Sequence, residues 1–524
     1  MLGESCYQQS VLCEPLRSLP LCVAFVVSPL ASYLFGFSHS IRVRSSLLLL
    51  AGALVACAPD TTYETVATPG TLDWSAIETE TLEHFQTLLR ADTRDPPGGE
   101  RPAAEYITKT LRAEGIDVQI FSLEPNRPNV VARIKGNGSK RPLLVMGHMD
   151  VVNVDTAKWR FPPFSATRDS GYVYGRGAVD DKDNLASALM LMLMIKRQQI
   201  ALDRDVIFLA EAGEEGSTRV GIQFMANQHF DAIDAEFCLA EGGGVSRSGG
   251  EARYATVSTT EKIPRAITLT SRGTAGHGSV PLRSNAVVHL ANAVAKFDNW
   301  RPPVQFNATT REYFTRLATI STPDRAARYL DVVSGYPRRA NAADEFFLDS
   351  EPAHASMLRT SISPTMVQAG YRVNVIPSEA VATLDVRMFP GEDTTAFLET
   401  IKGVVNDPAV EVTWARRDVR PGTPPADLGS EAFKAIEASA QTHYKTITLP
   451  TMLTGATDMA YLRAKGVQCY GIGPAIDSED AQKGFGAHSD QERILEAELH
   501  RYVRFQWDVV MALAKSGQAP AASH

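Results

Sequence analysis

Apolar positions divide the chain into short strand-like runs and longer helical stretches. The folded body opens with a helix-like stretch over Trp74–Arg90. Pro142–Met146 is a short apolar strand that ends at Gly147-His148. Asn184–Gln199 is apolar almost all round, which predicts a buried helix. Asp205–Ala210 and Glu236–Ala240 are further apolar strands. Strands alternating with helices in this way predict a mostly parallel sheet with helices on both faces.

The pattern changes near residue 255. Arg265–Ser271 alternates like a half-exposed strand, and Asn285–Phe297 is an amphipathic helix. Arg372–Ile376 and Val381–Phe389 read as strands joined by a turn at Pro377-Ser378-Glu379. These pieces predict a small α+β (ferredoxin-like) module. Residues 300–360, with charges and prolines in helix-like pieces, read as an insertion in it. Alternation then resumes with a helix over Ser430–His443, a strand over Val467–Ile472 and a long amphipathic helix over Glu496–Ala514. The predicted architecture is an α/β catalytic domain in two parts, 74–255 and 403–516. A lid or dimerisation domain at 256–402 interrupts it, and 517–524 is a polar tail. No internal repeat is evident.

The N-terminus has a different character. Residues 42–57 run from Arg42-Val43-Arg44 through an apolar stretch to Leu54-Val55-Ala56-Cys57. A basic start, a short apolar run and small residues before a cleavage point mark a secretory signal. The ending is similar to a bacterial lipobox, which predicts a lipid anchor at Cys57. It also predicts an exported protein, periplasmic or held as a lipoprotein on the periplasmic face of a bacterial membrane. The apolar run is short of the ~20 residues of a membrane span. Residues 58–73 read as a tether. Leu19–Phe37 is a second apolar run, interrupted by Pro20 and Pro29. A complete signal starting near Arg42 makes 1–41 read as an over-extended start.

Composition narrows the function classes. The 524 residues are 44% hydrophobic and 21% charged, with a net charge of −8. That is the balance of an ordinary soluble globular protein, and without a basic stripe it predicts no nucleic-acid partner. Of six cysteines, only Cys238 and Cys469 follow Cys57, so there is no disulfide framework. A single bridge between them stays open.

The candidate chemistry sits at strand ends. His148 and Asp150 follow the first strand, Asp180 and Asp181 a glycine-bearing loop, Glu214 and Glu215 the next strand, and Glu241 the one after. His488 lies in a loop before the last helix. Each motif alone has an ordinary structural reading. Together they converge on the carboxyl edge of a parallel sheet, where ligands bind in such folds. Carboxylates crowded in this way repel one another unless a cation sits among them. A set of His, Asp and Glu suits Zn²⁺, with Co²⁺ or Mn²⁺ as substitutes.

Several segments make the resemblance specific. They are Gly147-His148-Met149-Asp150-Val151-Val152, Trp159 with Pro163-Phe164-Ser165, Tyr174-Gly175-Arg176-Gly177-Ala178-Val179-Asp180-Asp181-Lys182 and Glu214-Glu215-Gly216. Further along come Gly276-His277-Gly278-Ser279-Val280-Pro281, Asn374-Val375-Ile376-Pro377, Asp385-Val386-Arg387 before Pro390-Gly391, and His488. From about residue 80 to 515 the chain resembles the aminoacylase and carboxypeptidase family of co-catalytic zinc hydrolases, especially its Gly-X carboxypeptidase (carboxypeptidase S) branch. The resemblance implies two zinc ions per subunit, ~3.5–4 Å apart. Asp180 would bridge them, His148 and Glu241 would complete one site, and Glu215 and His488 the other. Asp150 would hold the His148 ring, and Glu214 would be the general base. His277 would stabilise the oxyanion, in the family often from the partner subunit of a dimer, and Asn374 would help bind substrate. Arg387 has two readings, a carboxylate anchor or a structural pair with Asp385. Asp183, Asn153 and Ala240 depart from common family residues without removing a ligand or the base.

The expected enzyme cleaves the amide bond of a dipeptide or an N-acyl amino acid with a free carboxylate. A deacylase of N-acyl amino acids is the neighbouring reading. A non-catalytic metal-binding lipoprotein of the same fold is the remote one, and the presence of Glu214 and every ligand position counts against it.

Overall fold

The computed structural model describes residues 71–415 and 420–517. The signal and its Cys57, the extension before it, the tether as far as residue 70 and the tail beyond residue 517 lie outside the described residues.

The first helix, Trp74–Arg90, starts where Asp73 accepts hydrogen bonds from the Ser75 and Ala76 amides at 3.1 and 3.2 Å. Such a cap satisfies amides that the first turn leaves without partners. Ten strands form the large sheet. From one edge they run Asp117–Ser122, Pro128–Ile134, Val206–Glu211, Leu143–His148, Phe237–Ala240, Gln468–Gly471, Glu251–Glu261, Gly244–Ser248 and Ala475–Asp477, with Thr448–Leu453 beside Glu251–Glu261. The central strands are parallel and the first edge is antiparallel.

Both faces are covered, and the period-two alternation of the strands says how. Leu143 and Val145 join the core under the helices Lys182–Arg197 and Glu496–Ala514. Leu144 and Met146 join the opposite core, under Ile222–Gln228 and Met459–Arg463. The helix Lys182–Arg197 is buried at every position from Lys182 to Ile195, because other helices cover the side that faces away from the sheet. Burying each leucine of such a helix stabilises the fold by roughly 1.5–3 kcal/mol. Its N-terminus directly follows Asp180 and Asp181, so the deepest helix anchors that loop.

A second sheet of four antiparallel strands is ordered Ser361–Ala369, Glu379–Met388, Ile263–Arg272 and Val410–Trp414. The helices Ala286–Asn299 and Thr394–Val405 pack on it around Leu269, Leu290, Leu384 and Ile401. Its fourth strand comes from beyond residue 402, where the sequence set the return to the first domain. The expected strand Arg372–Ile376 is also different. Only Val375–Ile376 is extended in pairing, and it pairs with Gly276–His277 in a separate ribbon. The partner of Glu379–Met388 is Ser361–Ala369, which the sequence had not marked. That strand lies at a sheet edge and is exposed from Ser363 onward, so it carries no inward-facing apolar alternation.

Residues 308–357 fold into helices Ala308–Thr319, Pro323–Val333, Pro337–Ser350 and Pro352–Met357. Three begin with proline, whose fixed φ and missing N–H suit the first helical position. Phe314, Tyr329 and Phe347 form their core, shared with Leu449 and Met452 of the large sheet.

Candidate metal centre

Three neighbouring parallel strands end at the site. Leu143–His148 delivers His148, Val206–Glu211 leads into Gly213-Glu214-Glu215, and Phe237–Ala240 is followed by Glu241. Gly213 turns the second loop with φ +78°, and a Cβ there would stand 2.5 Å from the Ser217 carbonyl oxygen. Gly147 is needed for a different reason. A Cβ at that position would lie 2.7 Å from the Asp181 carboxylate, which accepts the His148 amide at 3.1 Å. Asp181 therefore ties the strand end to the loop that carries Asp180.

Asp180 sits between two groups of donors. Its Oδ1 is 3.1 Å from His148 Nε2, and its Oδ2 is 3.0 Å from His488 Nε2. His488 Nε2 is also 2.8 Å from Glu215 Oε1. His148, Asp180 and Glu241 offer ligand atoms within 4.8 Å of one another, and so do Asp180, Glu215 and His488. His488 adopts φ +60°, a left-handed conformation that costs a non-glycine residue energy and is found at functional sites.

Asp150 does not touch its neighbours as expected. Its carboxylate accepts the amides of Glu214 and Glu215 at 3.1 and 2.9 Å. The His148 ring meets the Asp150 backbone carbonyl at 3.0 Å, while its carboxylate stands 3.6 Å away, too far for a hydrogen bond. Asp150 thus steadies His148 through its main chain and the Glu214-Glu215 loop through its side chain.

Three residues that sequence reasoning missed complete the surroundings. Arg420 donates to Glu214 Oε1 at 2.8 Å and lies 3.3 Å from Asp458. Asp458 follows the end of strand Thr448–Leu453, so the rule that found the other acids reaches it as well. Glu492, four residues after His488, is fully buried and holds the loop before Asp180. Arg420 has no such signal, because it follows no strand of the parallel sheet.

The electrostatics are those of a site short of positive charge. Burial pushes the Glu214 carboxyl up to about 8, against the pull of Arg420, and Asp458 adds to the rise. Burial and the neighbouring Glu214 hold Glu241 well above the carboxylate range. Burial alone would pull the His148 imidazolium down, yet the carboxylates of Asp150 and Asp180 beside it carry it well up. Hydrogen bonds to Asp180 and Glu215 raise His488 to about 10. No hydrogen bond reaches the Glu241 carboxylate from the described residues. A divalent cation at each triplet would reverse this arrangement, and three protein ligands per ion leave positions open for water and substrate. The donor set therefore fits the two metal ions.

The other expected site residues stand apart from both triplets. His277 is exposed and hydrogen-bonded to Ser279 Oγ at 2.6 Å. Asn374 is exposed on the ribbon paired with it, and its carbonyl accepts the Gly278 amide at 2.9 Å. Arg387 donates to Asp385 at 2.8 Å, the structural one of its two readings. Cys238 and Cys469 face each other on paired strands as free, buried thiols.

The fold and the two triplets define the class, a mixed α/β protein with two groups of potential metal ligands that share Asp180. The chain belongs to peptidase family M20/M25/M40, whose model matches residues 144–512, and is a hydrolase of amide bonds. It is 27% identical over 382 residues to a probable carboxypeptidase S-like protein of Dictyostelium discoideum, covering 71% of this chain and 72% of that one. Against the N-fatty-acyl-amino acid synthase/hydrolase of Homo sapiens the identity is 26% over 381 residues, with coverages of 71% and 74%. A metallo-carboxypeptidase of the same family from Sulfolobus solfataricus superposes with a TM-score of 0.61 at 20% identity, covering 83% of this chain and 99% of that one.

Proposed function

We propose that the chain is a zinc hydrolase that cleaves dipeptides or N-acyl amino acids carrying a free carboxylate. One observation carries this reading: the two oxygens of Asp180 face different histidines, each in its own triplet. That arrangement supports a bridging role for its carboxylate. His148 and Glu241 would hold one Zn²⁺, Glu215 and His488 the other, with Co²⁺ or Mn²⁺ as substitutes. When bound, the ions polarise the scissile carbonyl and lower the pKa of water.

The chain's own residues do the rest. Glu214 binds no metal in this reading, and its carboxylate takes a proton from the attacking water and hands it to the leaving nitrogen. Arg420 orients that carboxylate by donating to one oxygen. Asp150 fixes the loop that carries both Glu214 and Glu215. His277 and Asn374 are exposed on one ribbon of the second domain, which supports their use from across a homodimer. The exposed edge strand Ser361–Ala369, with Met366 and Val367 in the open, supports that interface. An exported protein anchored through Cys57 remains part of the proposal on the strength of the signal sequence.

Removing metal with a chelator abolishes hydrolysis and Zn²⁺ or Co²⁺ restores it; hydrolysis that persists in chelator overturns the metal reading. A panel of dipeptides and N-acyl amino acids separates the peptidase from the deacylase. The human relative's name supports the deacylase as second reading, and turnover of N-acyl amino acids alone would establish it.

A further inference from the structure

Glu492 lies in no ligand triplet, yet its contacts converge on the loop that carries the bridging residue. Its carboxylate accepts hydrogen bonds from Arg176 Nη1 at 2.6 Å, the Gly177 amide at 3.1 Å and the Val179 amide at 2.9 Å. Its own carbonyl accepts the Gly175 amide at 3.1 Å. Val179 immediately precedes Asp180. Arg176 is as buried as Glu492 and lies over the Trp159 ring, so the pair cannot relax into water.

The next residue grips the other loop. The Arg493 amide donates to the Phe485 carbonyl at 3.1 Å. Its guanidinium is 3.9 Å from the centres of both the Tyr172 and Phe485 rings. It donates to both oxygens of Asp480, at 3.0 and 2.7 Å, and to the Tyr174 hydroxyl at 3.0 Å. Phe485 lies three residues before His488 and leads into its turn. Two consecutive residues thus hold the loops of Asp180 and His488, and backbone pairing of Arg493 with Tyr174 joins the two grips.

We propose that Glu492 is a positioning residue that couples the two halves of the metal centre, a role that rests on the two-ion reading above. It sets the height of Asp180 against His148 on one side and His488 on the other. Because Asp180 is shared, a slack loop weakens both ions together. Residues behind metal ligands change affinity by roughly 10–100-fold when removed.

The test is Co²⁺ uptake by the metal-free full chain, followed by d–d absorption and calorimetry, in the wild type, Glu492→Gln and Glu492→Asp. Wild type should take up two ions. Glu492→Gln, which keeps the shape but loses the charge facing Arg176, should bind both about 10–100-fold more weakly, with an altered absorption band. Glu492→Asp keeps the charge and shortens the reach by one methylene; it should also bind more weakly, and it carries the test if the glutamine variant does not fold. A purely scaffolding role would lower the melting temperature of the metal-free protein and leave affinity and spectrum unchanged, and that result overturns the proposal. Wild-type protein that takes up no cobalt overturns the two-ion reading, and the role of Glu492 falls with it.

Discussion

Replacing Glu214 with glutamine removes one function and leaves its surroundings nearly intact. The Glu214 side chain is 10% exposed, and its Oε1 accepts from Arg420 at 2.8 Å. A glutamine amide oxygen accepts the same hydrogen bond. Arg420 keeps Asp458 at 3.3 Å, so its buried charge stays compensated. The neutral side chain also escapes the burial penalty that raises the Glu214 carboxyl to about 8. The stability change is therefore expected to stay below ~1.5 kcal/mol. Turnover is another matter. A positioned general base contributes roughly 10²–10⁴-fold, or ~2.7–5.5 kcal/mol of barrier. The assay is kcat on a hydrolysed dipeptide or N-acyl amino acid, with metal content measured on the same sample. Two bound ions and a kcat lower by that factor are expected. Wild-type kcat refutes the assignment of the base, and loss of metal alongside turnover refutes its separation from the ligands.

Other predictions follow from single contacts. Asp150→Asn puts an N–H where an oxygen now accepts the Glu214 or Glu215 amide, and metal affinity measured by chelator competition should fall by about 10–100-fold; an unchanged affinity counts against the loop clamp. Gly147→Ala drives a Cβ into Asp181, and urea unfolding should show a loss of ~1–3 kcal/mol, an unaltered midpoint being the contrary result. His289 lies 2.6 Å from Asp407, whose hydrogen bond raises the imidazole above the 6.5 of a free histidine. Because the folded pKa is the higher one, this pair stabilises fully below the unfolded value and stops doing so as pH rises through the folded one. NMR titration of Asp407→Asn should move His289 down toward 6.5, and an unmoved titration rejects the pairing.

Helix and strand positions in the first domain were legible because burial on both sheet faces writes long apolar runs into the chain. Trp74–Arg90 and Glu496–Ala514 occupy the predicted ranges, and Lys182–Arg197 starts two residues before the expected one. The edge strand Ser361–Ala369 was illegible because exposure leaves no pattern to read. Val410–Trp414 was missed as part of the second sheet because a strand's partner is set by chain reversal elsewhere.

The sequence by itself determined which residue types stand at the ends of successive strands, since a parallel sheet brings those ends to one edge. It also put two aspartates, Asp180 and Asp181, side by side without a physical ground for choosing between them; family resemblance chose the first. Only the tertiary structure assigns their separate contacts. Asp180 faces two histidines that lie 340 residues apart, while Asp181 is buried against the His148 amide. The grips of Arg420 on Glu214 and of Glu492 on the Asp180 loop are likewise tertiary. Hydrogen bonds are short and directional, and no local pattern in the chain records which distant donor will arrive within 3 Å.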